Sequence, residues 1–338
     1  MNLVRLVLSV TVIVWHSYLI GGFTRPLAPV VQLLSQATVD GFFAISGFLL
    51  IRSWVCRPYV WSYLYARCLR IFPAFWVCLA VTAFVLAPVS TILAGGTLQD
   101  IWGGAFRYFT SNVALWIAQN HMPGTLESVP FSGIWNGSLW TLFWEFLCYL
   151  VLLAMGLVGL LRRKRTVVAA FGLLWMGSIA DVFLAVESQA LHNVFRFGLM
   201  FTAGMILYMF RDRIIVSWAW IAIAALIVGT SSLLPEYRLI AAIPLAYLCI
   251  ALGVMVKGPQ LRLKNDLSYG FYIYAFPMQQ LLATVGLTSA GLGVFMLSSI
   301  LATFPLAAAS WFLIERPTLR LKTASAHLTV SPASSSVK

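Results

Sequence analysis

The sequence predicts an all-α polytopic bundle of membrane-spanning helices, about ten spans in number, with both termini cytoplasmic. Three observations carry that expectation. Of the 338 residues, 61% are hydrophobic and 9% are charged, with a mean hydropathy of +0.91, whereas a soluble domain carries charge on roughly 25% of its residues. The apolar residues come in runs close to the ~20 residues that cross a ~30 Å hydrocarbon core as a helix. The basic residues, 22 Lys and Arg against ten Asp and Glu, collect in alternate gaps between those runs.

The runs fall at 2–20, 38–53, 71–93, 139–161, 167–184, 194–210, 214–234, 239–256, 267–285 and 291–314. The first is too long for a signal peptide and has no small-x-small cleavage site, so it reads as a retained span. It holds two ionisable residues, Arg5 and His16. Eleven residues of helix bring both back to within about 20° of one face, roughly 16 Å apart along the axis. Charge inside a bilayer is costly and points into the bundle, so this face is the first functional candidate. The second run is short and carries Asp40 at its start; the third follows Arg67 and Arg70, three apart on one helical face.

The longest connection, 94–138, contains the segment NHMPGTLESVPFSGIWNGS. Its aromatic residues argue against disorder, and a partly ordered lid with short helical or re-entrant pieces is expected. The fourth run carries Glu145 near its start. The remaining six hold few ionisable groups; Asp181 and Glu187, beside the end of the fifth, are expected to pair structurally near Arg196, and His121 and His192 receive no chemistry. Residues 1–322 then form one membrane-embedded domain. The Ser-rich stretch 323–338 lacks apolar periodicity and is expected to be a disordered cytoplasmic tail.

With a cytoplasmic N-terminus and every run spanning, sixteen Lys and Arg lie inside and four (Arg25, Arg107, Arg196, Arg238) outside. That asymmetry sets the orientation and favours an even number of spans. It also accounts for the net charge of +12 through cytoplasmic loops beside anionic lipid, with no nucleic-acid partner. Five cysteines without CxxC or metal-ligand spacing support neither a disulfide framework nor a metal site.

Orientation converts position into depth at 1.5 Å per residue. His16 lies about 20 Å from the cytoplasmic end of its helix, and Glu145 about 10 Å below the outer face, so the two share a level with Asp40 close by. Arg5, Arg67 and Arg70 form a second stratum near the cytoplasm. A histidine with a carboxylate at its depth has the makings of a general base and its orienting or pKa-tuning partner.

Several blocks resemble the acyltransferase-3 family of polytopic membrane O-acyltransferases. Arg5 and His16 match its basic-x10-His signature. TVDGFFAISGFLLIRSW matches its GVDxFFxxSGFLI-like block through Asp40, Phe42, Phe43, Ser46, Gly47 and Phe48. YARCLRIFPAFW supplies the RxxR signature as Arg67 and Arg70, and SLWTLFWEFLCYL the WSLxxE-like block, with Trp140, Leu142, Glu145 and Tyr149 in place and Thr141 for the usual Ser. DLSYGFYIYAFPM matches at Ser268, Tyr269, Tyr272 and Pro277, with Ala275 where the family often has His; WFLIERPTLRL closes the match at Glu315, Arg316 and Pro317.

The resemblance implies an enzyme that transfers an acyl group, most often acetyl, from cytoplasmic acyl-CoA to a hydroxyl of a carbohydrate or lipid-linked glycan, in a bacterial inner membrane. His16 is then the base and Glu145 its partner or a sugar ligand, the two catalytic candidates. Arg5, Arg67 and Arg70 are the contacts for the donor's phosphates, and Asp40 and Trp140 the acceptor-binding candidates. No permanently bound cofactor and no metal are expected; acyl-CoA is a substrate. The rival reading is a transporter or flippase for a glycoconjugate or small solute, since intramembrane Arg, His and Glu also suit proton-coupled transport. The absence of a visible internal repeat counts against it.

Overall fold

The computed structural model describes residues 1–99, 101–184, 187–256 and 263–321; the expected tail lies outside them. Among the described residues the chain is helical and has no strand. The elements are α1 (Asn2–Ile20), α2 (Pro29–Cys56), α3 (Val60–Val81), α4 (Ala87–Leu93), α5 (Ile101–Asn112), α6 (Trp140–Leu157), α7 (Lys164–Leu184), α8 (Gln189–Met209), α9 (Trp218–Ser231), α10 (Arg238–Met255), α11 (Ser268–Thr284) and α12 (Leu292–Ala309). A π-helical turn, Thr82–Leu86, joins α3 to α4, and another, Ser310–Glu315, extends α12.

Each of the ten apolar runs lies on a helix, and eight helical stretches are long and apolar enough to cross a membrane. α9, with 14 residues, and α11, with 17, fall short of the ~20-residue ruler. α11 has a physical reason to be short: most of its side chains are buried against protein, so lipid thickness is not its measure.

Two boundaries differ from expectation in ways that matter. α2 starts at Pro29, not at 38, with proline at the first helical position. Gln32, Ser35 and Gln36 lower the hydropathy of that turn, yet Leu33 and Ala37, four apart, are buried on one face. Asp40 therefore sits inside a 28-residue helix, not at its outer start. Likewise α3 begins at Val60, not at 71, which puts Arg67 and Arg70 within the helix instead of at its entrance.

Small residues set the closest packing. A Cβ on Gly47 of α2 would lie 2.0 Å from the Phe201 carbonyl oxygen of α8, and one on Gly204 of α8 would lie 1.9 Å from that of Ala44. The two helices touch backbone to backbone, as small residues allow in membrane bundles.

The long connection is partly ordered and re-enters the bundle, as the sequence suggested. After α5 it folds around Trp135, which is wholly buried and donates its indole N–H to Thr125 at 2.8 Å. Gln280 of α11 donates to the carbonyls of Phe131 (2.8 Å) and Ile134 (2.7 Å). Pro277 has no N–H to offer the carbonyl of Ile273, four residues earlier. Asn136 of the loop fills that vacancy at 2.7 Å, and the Cys78 thiol donates to the same oxygen at 3.2 Å.

Candidate active site

The buried charges form two layers. In the first, Arg5 at the start of α1 donates to Asp266 Oδ2 at 2.6 Å, and Arg70 of α3 donates to the same oxygen at 2.8 Å. Arg70 also reaches Glu315 Oε2 at 3.3 Å. Glu315 closes the π-helical turn after α12, a geometry that recurs at functional positions, and takes the Ser310 hydroxyl at 3.0 Å on its other oxygen. Asp266, just before α11, accepts the Ser268 hydroxyl at 2.5 Å. Burial works against ionisation of Asp266, but Arg5 and Arg70, with Ser268, outweigh it and hold the carboxyl well below the usual carboxylate range.

Arg67 is different. It makes no salt bridge, and its Nε is buried without a hydrogen-bond partner. Its guanidinium lies 5.9 Å from the ring centre of Tyr63 and 6.0 Å from that of Tyr149. Tyr149 leads on to Glu145, one helical turn away on α6: its hydroxyl donates to Glu145 Oε1 at 2.5 Å, and the Ser46 hydroxyl of α2 donates to the same oxygen at 3.0 Å. Glu145 Oε2 takes no hydrogen bond from the protein.

His16 stands on the neighbouring wall. Its ring meets Phe276 of α11 edge-on at 5.1 Å, and its Nδ1 is buried with no partner. Phe276 is itself pressed on the re-entrant loop, where a Cβ on Gly137 would come within 2.6 Å of its ring. Gln279 donates to the Ile13 carbonyl at 3.0 Å and to the Ser17 hydroxyl at 2.8 Å, gripping α1 on both sides of His16. No hydrogen bond joins His16 to Glu145; shared depth did not make them direct partners, and the carboxylate is held instead by Ser46 and Tyr149.

The second layer surrounds Asp40, which is wholly buried. Arg196 of α8 reaches its Oδ1 at 3.0 Å; Arg238, the first residue of α10, reaches Oδ2 at 2.5 Å, and the Tyr237 hydroxyl donates to Oδ2 as well. Arg196 thus pairs with Asp40 and not with Asp181 or Glu187; Asp181 pairs with His192 at 2.7 Å. The close α2–α8 packing brings Asp40 to Arg196. Trp140, at the start of α6, is exposed and its ring lies 5.6 Å from that of Phe197.

The acyltransferase-3 family model, an acyltransferase domain, matches residues 1–314. The chain belongs to this family. Two relatives agree in extent. An O-acetyl transferase of Shigella phage Sf6 is 28% identical over 325 residues, covering 92% of this chain and 93% of that one. Nodulation protein 10 of Rhizobium leguminosarum bv. viciae is 29% identical over 323 residues, covering 86% and 84%. No solved structure gives a significant match. The protein is a membrane O-acyltransferase, and the two charged layers lie within the matched acyltransferase domain except for Glu315, one position past its end. Sequence reasoning located Arg5, His16, Asp40, Arg67, Arg70 and Glu145 but not the partners Asp266, Arg238 and Tyr237 or the role of Glu315. The one available signal was that Asp266 and Glu315 are acidic residues bordering apolar runs.

Proposed function

We propose that this acyltransferase moves an acetyl group from cytoplasmic acetyl-CoA to a hydroxyl of a carbohydrate or lipid-linked glycan in a bacterial inner membrane, with His16 as general base. The observation that carries the reading is the imidazole nitrogen buried without a partner beside Phe276, on the same helix as the Arg5 of the first charged layer. Buried polar atoms are nearly always satisfied, and an orphan on a histidine marks where a ligand belongs. Neutral imidazole takes the proton of the acceptor hydroxyl as its oxygen attacks the thioester carbonyl. The new C–O bond forms, the C–S bond breaks, and the imidazolium returns the proton to the departing CoA thiolate. The unpaired Arg67 suits a donor phosphate by charge and hydrogen-bond geometry. The uncommitted Oε2 of Glu145 suits an acceptor hydroxyl. Acyl-CoA is a substrate here, and no bound cofactor is invoked.

The test is label transfer from radiolabelled acetyl-CoA in proteoliposomes supplied with glycan and lipid-linked glycan fractions. Wild type is expected to label an acceptor, and His16→Ala to lose transfer at least 1,000-fold while eluting as folded, membrane-inserted protein. Turnover in His16→Ala within tenfold of wild type would remove His16 as base.

A further inference from the structure

The second charged layer does more than bury Asp40. Arg238 uses all three of its nitrogens: its Nε is on Asp40, its Nη1 is on both oxygens of Glu236 at 2.7 and 3.0 Å, and its Nη2 is on Gln36 at 2.7 Å. Arg196 does not. Among the described residues only its Nε is used, at 3.0 Å to Asp40, and neither terminal nitrogen has an acceptor there. The charges of Asp40, Glu236, Arg196 and Arg238 balance, so the surplus is one of hydrogen bonding: four N–H groups on a guanidinium whose side chain is 14% exposed. Asp40 fixes its orientation, and its own neighbour Phe197 places a ring 4.9 Å from its central carbon. An arginine anchored through Nε leaves its Nη1–Nη2 edge as a planar fork, the geometry that binds phosphate or carboxylate bidentately.

We propose that Arg196 is an oxyanion subsite that receives a phosphate or carboxylate carried by the acceptor, which makes the acceptor an acidic glycan or glycosyl phosphate. The proposal rests on the acyl-transfer reading. Asp40 and Ser46 are six residues apart on α2, about 9 Å along the axis. Asp40 anchors Arg196, and Ser46 holds Glu145. The exposed Trp140 ring, 5.6 Å from Phe197, offers the sugar an apolar face. An oxyanion at Arg196 has a second source, the phosphate of a lipid headgroup, and the two sources separate experimentally.

Binding of glucose 1-phosphate, methyl glucoside and inorganic phosphate is measured without donor, on protein in phosphate-free detergent and again in phospholipid nanodiscs. Wild type is expected to bind glucose 1-phosphate at least tenfold more tightly than methyl glucoside in both settings. Arg196→Gln should abolish that preference, and Arg196→Lys, which keeps the charge beside Asp40 but not the fork, should lose most of it; acetyl-CoA affinity should stay within twofold in both variants. Equal affinity of wild type for the two sugars, or an undiminished preference in folded Arg196→Lys, overturns the proposal. A preference seen in detergent and lost in nanodiscs assigns the oxyanion to lipid and overturns it too. Because no donor is present, these outcomes are independent of whether His16 catalyses acyl transfer, which label transfer by wild type decides separately.

Discussion

At the scale of single residues, the division of labour among three arginines is what the geometry adds. Arg5 and Arg70 share Asp266, whereas Arg67 has no carboxylate partner. Arg67→Ala is therefore expected to raise the acetyl-CoA KM at least tenfold with little change in thermal midpoint. Arg70→Ala leaves Asp266 to Arg5 alone and takes the cation from buried Glu315, where breaking a pair costs about 3–5 kcal/mol, and should lower the midpoint by several degrees. Donor titrations at fixed acceptor, with melting curves on the same preparations, check both. Asp266 also fixes a pH dependence. Its folded pKa lies below the unfolded value of about 3.9, so its contribution to stability is complete above that value and fades as pH falls further. Midpoints measured from pH 7 to pH 3 should show this contribution intact to about pH 4 and then declining. Asp266→Asn should start lower and lack that part of the decline. Burial cost made Arg5, His16, Asp40 and Glu145 legible in the sequence, since charges in apolar runs need a reason; Arg67 and Arg70 stood out by their spacing beside the third run and by the RxxR signature. Their partners were not, because Asp266 lies 261 residues from Arg5 and Arg238 lies 198 from Asp40. Depth along a helix says nothing about azimuth, so it placed Glu145 at the level of His16 without revealing that Ser46 and Tyr149 hold it.

At the scale of elements, hydropathy reported which stretches face lipid and was silent where helices face protein. That is why all ten runs were found while α2 and α3 were begun nine and eleven residues late: their first turns carry polar or basic side chains that the bundle accommodates. It is also why α11, buried on most sides, looked like an ordinary span. Gly47 illustrates the difference between a motif letter and its cause. It stands beside Ser46, which holds Glu145, but its own role is to let the α8 backbone approach. Gly47→Leu is expected to separate α2 from α8, displacing both Ser46 and the Asp40–Arg196 pair, and to cost at least about 3 kcal/mol, beyond ordinary overpacking because the obstruction is backbone. Loss of the monodisperse elution peak, or a midpoint lowered by several degrees, checks it; a variant as stable as wild type would mean that the helices meet elsewhere.

At the scale of the whole molecule, the two charged layers act as levels that constrain how the chain threads. Arg5, Arg70 and Asp266 put the starts of α1 and α11 level with the middle of α3, and Glu315 puts the end of the α12 stretch there with them. Asp40 draws together the early turns of α8 and the first residue of α10. Arg196, two turns into α8, and Arg238, the first residue of α10, therefore stand at one level. Expected as the seventh span, α9 has 14 residues, a helix of about 21 Å that reaches across only with help from its flanks. Ten passes with Met1 and the end of the α12 stretch on the cytoplasmic side is the threading expected from the sixteen-to-four distribution of basic residues; among the described residues, eight helical stretches are long and apolar enough to cross. Cys56, the exposed free thiol at the end of α2, reports on this directly. In a variant that keeps Cys56 alone, a membrane-impermeant maleimide should label inside-out vesicles and leave intact spheroplasts unlabelled. Trp140→Cys in a cysteine-free background should give the reverse. Labelling of both positions from the same side would break the threading between α2 and α6, and reversal of both would invert the orientation and move Arg5, Arg67 and Arg70 to the face away from the cytoplasmic donor proposed above.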